Sequence, residues 1–310
     1  MATIKLGTRS SNLAMTQSRY IASRLEKENS GLKVELVEIS TTGDEVRDKP
    51  LKSFGGAGVF VKELENALQD KRVDIAVHSL KDMPTRQPKG LVIGAIAGRE
   101  DPRDVVVTQG GRKIGDLPPN SMIGSGSMRR RAQFKIQYPQ LQFTEIRGNV
   151  ETRLRKVREG QVAGTILARA GLKRLGLLDE SMHTLSLQHM LPAPGQGALA
   201  IECRISDLEI RKLLQPIHEA DIEACVNAER VVLEELGGGC HLPLAALGTP
   251  EAGGMLRLRA FFGLPDGSLN VRADETMGRS YSRELGKKVA HILLDRGGRD
   301  ILKVLETTNQ

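Results

Sequence analysis

The chain has 310 residues, 39% of them apolar and 27% charged, with a net charge of +7, aromatics at 3% and no tryptophan. That length accommodates two or three domains. No apolar run approaches the ~18 residues of a membrane span, so a soluble protein is expected, and cysteines without a CxxC beside histidines without an HExxH exclude a disulfide scaffold or structural zinc, so no metal is expected.

In chain order, Ile4–Thr8 reads as a strand. It begins so close to Met1, with no long apolar core before it, that no signal peptide is expected and a cytoplasmic location is. Arg9-Ser10-Ser11 leads into a helix over Asn12–Lys27, with Ser10 or Ser11 as its N-cap. Val34–Ile39 is a second strand. Residues 40–58 are polar and glycine-rich and predict a mobile loop or lid before the helix Val59–Leu68. Ile75-Ala76-Val77 has the short apolar character of a buried parallel strand, which Met83-Pro84 stops. Ser79, Lys81 and Asp82 then fall just past its carboxyl end, the edge at which ligands bind in open α/β sheets. Leu91–Ile96 is a further strand, and Gly98–Asp104 reads as a hinge.

The plan then repeats: strand Ser121–Gly124, helix Met128–Gln137, strand Gln142–Ile146, helix Gly148–Glu159, strand Thr165–Ala168. At equivalent strand-to-helix junctions stand Gly7-Thr8-Arg9-Ser10-Ser11 and Gly124-Ser125-Gly126-Ser127-Met128-Arg129. Free backbone N–H groups, the positive helix end and an adjacent arginine make each a receiver for carboxylate or phosphate. The segment Arg129–Arg174 carries nine Arg and three Lys against three Glu, so its +9 leaves −2 for the remainder. A solvated basic face and a nucleic-acid site are the generic readings, but aromatics for base stacking are too few for the latter. Two facing junctions with Arg129, Arg130, Arg147 and Arg153 nearby point instead to a two-domain clam closing on a polyanion.

Gly195-Gln196-Gly197 reads as a turn and Leu199–Cys203 as a strand returning to the first domain. Helices over Asp207–Pro216 and Asp221–Leu236, a hairpin of Met255–Phe262 with Ser268–Glu275, and a helix over Ser280–Leu294 follow. Between them Gly237-Gly238-Gly239 precedes Cys240, a context suited to presenting a reactive thiol, whereas Cys203 and Cys225 read as structural.

The stretches GTRSSNLA, FVKELENAL, DIAVHSLKDMP, REDPRD, GSGSMRRRAQ, RGNVETRL, AGLKRLGL, PGQGALAIECR and GGGCHLP, in this order, make the chain resemble the porphobilinogen deaminases over nearly its full length. The resemblance implies an α/β fold: two periplasmic-binding-protein-like (type II) lobes joined by a hinge, plus a small α+β C-terminal domain. The corresponding domains are 1–98 with 199–217, 103–194, and 220–310. It implies a monomer acting on porphobilinogen without nucleic acid or membrane, a dipyrromethane cofactor on Cys240, and Asp82 as the catalytic carboxylate. It further implies cofactor contacts from Lys81, Asp82, Ser125, Ser127, Arg129, Arg130, Arg147 and Gly148, and substrate contacts from Arg9, Ser11, Ser79, Arg147, Arg153 and Arg174. One departure stands out: where the family usually has lysines before the FVKE helix, this chain has Ser53 and Ala57, with Lys52 one place removed. The competing reading is a two-lobed binding protein for an acidic small molecule, without turnover; the thiol of Cys240 discriminates, since a passive binder has no use for it.

Overall fold

The computed structural model describes residues 2–40, 61–238 and 242–308. The chain runs β1 (Ala2–Thr8), α1 (Asn12–Glu28), β2 (Leu32–Glu38), α2 (Lys62–Gln69), β3 (Ile75–Ser79) and β4 (Leu91–Arg99). It continues through β5 (Asp104–Thr108), β6 (Met122–Gly124), α3 (Met128–Gln137), β7 (Gln142–Thr144), α4 (Val150–Arg158), β8 (Gly164–Ala168), α5 (Arg169–Arg174) and β9 (His183–Thr184). Then come β10 (Ala198–Arg204), α6 (Leu208–Leu214), α7 (Ala220–Glu235), β11 (Leu244–Glu251), β12 (Met255–Gly263), β13 (Asn270–Gly278), α8 (Ser282–Leu293) and α9 (Arg299–Thr308). Among the described residues no helix is long and apolar enough to cross a membrane.

The chain forms two compact units, Met1–Glu100 with Gly197–Glu223, and Asp101–Gln196 with Ala224–Gln310. The first holds a five-stranded sheet in the order β2-β1-β3-β10-β4. In it β1 is parallel to β2 and β3, and β10 is antiparallel to β3 and β4. The second holds a sheet of the same plan, β7-β6-β8-β5-β9, with β6 parallel to β7 and β8 and β5 antiparallel to β8 and β9. In each sheet the antiparallel strand is the first that forms after the chain passes from the other unit: β5 after Glu100, β10 after Gln196. The repeat read in the sequence is thus a repeat of topology.

Both sheets are buried on two faces, as parallel strands joined by crossover helices require. In the first unit Ile4, Leu6, Ile75, Val77 and Ile201 pack against Ile21 and Leu25 of α1 and Ile210 and Leu214 of α6. On the opposite face Ala76 meets Leu64, Ala67 and Leu68 of α2. In the second unit Val105, Val107 and Leu167 face Leu154 and Val157 of α4, while Val106, Ile123 and Ile166 face Phe134 of α3.

The same unit contains the three-stranded sheet β11-β12-β13, covered by α7, α8 and α9 through Val232, Leu285, Val289, Leu293 and Ile301. A separate apolar cluster of Ala132, Leu191, Ala245, Leu247 and Phe261 joins this sheet to α3. Glu229 of α7, fully buried, adds a polar weld: its carboxylate accepts from Gly195 N and Gly248 N, each at 2.7 Å.

The turn at Gly195-Gln196-Gly197 has a steric cause. Gly197 has φ +90°, and a Cβ there would strike the carbonyl of Glu100, whose own N–H donates to Gly197 O at 3.1 Å.

Candidate active site

In the first unit the carboxyl ends of β1 and β3 lie side by side. Ser11 caps α1, its hydroxyl accepting from Ala14 N at 3.4 Å, and Arg9 is half-buried just before it. After β3 a 3-10 turn, Leu80–Asp82, closes with Met83 N donating to Leu80 O at 3.1 Å. Leu80 and Met83 are buried, which leaves Lys81 half-buried and Asp82 exposed. Asp82 has no hydrogen-bond partner among the described residues. Ser79 is fixed by the buried Gln17 of α1, whose amide Nε2 and Oε1 lie 3.0 and 3.3 Å from the hydroxyl.

In the second unit the end of β6 feeds α3. Ser127 caps this helix, accepting from Arg130 N at 3.4 Å, and Ser125 Oγ accepts from Ser127 N at 3.3 Å. The chain places Arg129 and Arg130 in the first turn of α3, but their guanidiniums turn inward. Arg129 Nη1 reaches Asp104 Oδ2 at 2.7 Å and Leu191 O at 2.7 Å. Arg130 grips Asp104 Oδ1 through Nε (3.2 Å) and Nη2 (2.8 Å) and donates from Nη1 to Ile166 O at 2.8 Å. Gln196 donates to the same Oδ1 at 2.9 Å.

Asp104 is fully buried, and burial alone would push its carboxyl up; the two guanidiniums outweigh that and hold it well below the usual carboxylate range. Burial, the larger effect, and the neighbouring Arg130 lower the pKa of Arg129, against the pull of Asp104. The arrangement is therefore a fixed +1 cluster under the start of α3, rather than two freely projecting cations.

Arg147 follows β7, is about a third exposed, and pairs with the exposed Glu145 at 3.0 Å. Gly148 has φ +107°, and a Cβ there would press on Thr152; Asn149 then caps α4 by accepting from Thr152 N at 2.9 Å. Arg153 donates from Nε to Gly148 O at 2.8 Å. Arg174 is the last residue of α5. Cys240 lies outside the described residues, as do Lys52, Ser53 and Ala57 of the loop; Cys203 and Cys225 are buried, and burial pushes the Cys203 thiol up to about 11, as befits structural thiols.

Sequence reasoning missed Asp104, Gln17 and Glu202. Asp104 sat inside a charged run read as a hinge; its signal was the apolar Val105-Val106-Val107 immediately after it. Gln17 and Glu202 are polar positions in apolar stretches whose partners are distant in sequence.

Fold and site together define a two-lobed α/β protein with serine-capped strand-to-helix junctions in both lobes, extended by an α+β body. A family model described as porphobilinogen deaminase, dipyromethane cofactor binding domain, matches residues 4–212, and the C-terminal domain model of the same family matches residues 223–295. Porphobilinogen deaminase of Chromobacterium violaceum is 44% identical over 302 residues, covering 97% of each chain. That of Acidithiobacillus ferrooxidans is 46% identical over 300 residues, again covering 97% of each. Among solved structures, a probable amino-acid ABC transporter extracellular-binding protein of Bacillus subtilis aligns with a TM-score of 0.43 at 15% identity, covering 70% of this chain and 92% of that one; nothing about chemistry follows from a likeness of that size. The chain belongs to the porphobilinogen deaminase family.

Proposed function

We propose that this chain is a transferase that condenses four porphobilinogen molecules head to tail on a dipyrromethane primer held by Cys240, losing ammonia each time and releasing hydroxymethylbilane. The observation that carries this reading is the full-length similarity to relatives named for that activity, in a chain that has both Asp82 and Cys240. The relatives' names do not favour the alternative of a binding protein without turnover. Supporting it are two groups of side chains with complementary tasks: an exposed, unengaged carboxylate at Asp82, and carboxylate receivers at Arg9 with Ser11 and at Ser125, Ser127, Arg147 and Arg153.

The donor set fits an acidic dipyrrole, which presents carboxylates to be received and pyrrole N–H groups to be accepted. Lys81, Ser125, Ser127, Arg147 and Gly148 would hold its acidic arms, above the buried +1 cluster of Arg129, Arg130 and Asp104, and Asp82 its pyrrole N–H groups. When bound, it supplies the nucleophilic pyrrole carbon from which the product grows. Ser79, Arg153 and Arg174 complete the substrate set. As ammonia leaves porphobilinogen, positive charge spreads onto its pyrrole nitrogen, and a fixed carboxylate accepting from that N–H is worth more then than in the neutral ground state. The division into three domains, 1–98 with 199–217, 103–194, and 220–310, is supported by the separate apolar core of the C-terminal sheet and its helices. The reading extends to a cytoplasmic monomer, which native mass measurement would test.

Asp82→Asn keeps size and removes charge. Turnover should fall by about two to four orders of magnitude with folding preserved, the range such a group typically supplies. Near-normal formation of the linear tetrapyrrole by this variant would reduce Asp82 to a turn residue.

A further inference from the structure

Behind the Leu80–Asp82 turn lies a group of ionisable side chains that the proposed chemistry does not use. His78, the penultimate residue of β3, is buried, and its Nε2 lies 3.1 Å from Oε2 of Glu202, which is itself fully buried on the neighbouring β10. The register pairs His78 with Ala200 and Ala76 with Glu202, so this bond runs diagonally across the two strands on the face covered by α2. It is anchored one residue before the strand ends at Ser79. The other oxygen of Glu202, Oε1, is buried without a hydrogen-bond partner among the described residues. From α2, Glu65 faces the same place: burial first, and then the charge of Glu202, push its carboxyl up, while His78 and Lys62 act in the opposite direction.

A polar cluster of this kind, set among Leu64, Ala67, Leu68 and Ala76, is a poor way to gain stability, because aliphatic side chains of similar volume would serve as well or better. What it does provide is direction. A hydrogen bond between an imidazole and a carboxylate fixes β3 against β10 at one register, and it does so at the last residues before the backbone turns to present Lys81 and Asp82. The two apolar anchors of the turn, Leu80 and Met83, fix its depth, but non-directional contacts do not set where a carboxylate points.

We propose that His78 is a positioning residue for Asp82: clamped by Glu202, and neighboured by Glu65, it fixes the end of β3 so that the Asp82 carboxylate is held where the reacting pyrrole N–H arrives. This rests on Asp82 carrying the chemistry, and a one-ångström displacement of such a group is enough to cost orders of magnitude in rate. The titratable groups around His78 are Glu202 from β10 and Glu65 from α2, with the exposed Lys62 of α2 acting on Glu65.

The test is a double-mutant cycle on the cofactor-loaded enzyme, with intact mass and circular dichroism matched across variants. His78→Ala should lower kcat about tenfold with KM within about twofold of wild type, and His78→Gln, which retains a donor toward Glu202, should recover to within about threefold. In the Asp82→Asn background, His78→Ala should cost nothing further, because the residue it positions is already disabled. Glu202→Gln keeps the shape and removes the charge, and it should move the pH–kcat profile; this variant carries the test if His78→Ala does not fold. Wild-type kcat in His78→Ala, an equal tenfold loss in the Asp82→Asn background, or an unchanged profile in Glu202→Gln would overturn the proposal. Failure of the Asp82 reading would look different: Asp82→Asn itself would then turn over normally.

Discussion

Asp104 and Arg147 separate two kinds of arginine that the sequence presents alike. Arg129 and Arg130 are buried against a buried carboxylate, whereas Arg147 pairs with an exposed one. Asp104→Asn leaves two desolvated guanidiniums facing a neutral amide, so it should cost about 3–5 kcal/mol of stability, measured by denaturant unfolding. The pH dependence has a defined sign. The folded-state pKa of Asp104 lies below its unfolded value, so the unfolded chain binds more protons; the stability Asp104 contributes is present above about pH 4 and is lost as pH falls further. Asp104→Asn should lack that component. Arg147→Leu should change stability by less than about 1 kcal/mol, as an exposed pair is worth little, yet slow chain elongation severalfold in a stopped-time product assay. If Arg147→Leu elongates normally, this arginine serves only Glu145. Arg129→Leu is the less informative variant, since it weakens the fold and the site together.

The elements were legible where local pattern and tertiary role agree. Ser11, Ser127 and Asn149 cap helices that begin near where periodicity places them, and the apolar Ile75-Ala76-Val77 is a strand followed at once by an exposed Lys81-Asp82 turn. Reading failed at β5, because the charged run before Asp104 hid three valines, and at β11, whose Ala, Gly and Pro250 have little strand preference. β11 is an edge strand made by its pairing with β12. The paired partners of the site were also illegible: Asp104, Gln17 and Glu202 act across long sequence separations that no spacing rule reports.

Glu65 on α2 yields a prediction at this scale. Its folded-state pKa is raised, by burial and then by Glu202, so the folded chain binds the extra proton and stability declines as pH rises above the ordinary glutamate value of about 4.3. Glu65→Gln should flatten that decline and be at least as stable as wild type at pH 7. A thermal-melt series from pH 4 to 8 checks it; a variant that loses stability at neutral pH would mean that ionised Glu65 is a net stabiliser.

In the whole molecule, the sequence repeat, the matching strand orders and the first two of the three chain passages, at Glu100 and Gln196, describe one design: each lobe receives its antiparallel strand as the chain arrives from the other unit. On the proposed function, the concentration of positive charge in Arg129–Arg174 answers to the two carboxylates that arrive with every porphobilinogen added. Its +9 is tempered by Asp104, which neutralises one of the two arginines beneath α3. The central claim is that this chain builds a tetrapyrrole on a primer attached to Cys240. Intact mass spectrometry tests it most directly, on the purified protein and again after brief exposure to porphobilinogen. The purified protein should have a mass above that of the polypeptide by one dipyrromethane, exposure should add a ladder of species each one pyrrole unit apart, and Cys240→Ala should lose both. An unmodified polypeptide mass in a preparation that still forms the tetrapyrrole would contradict it.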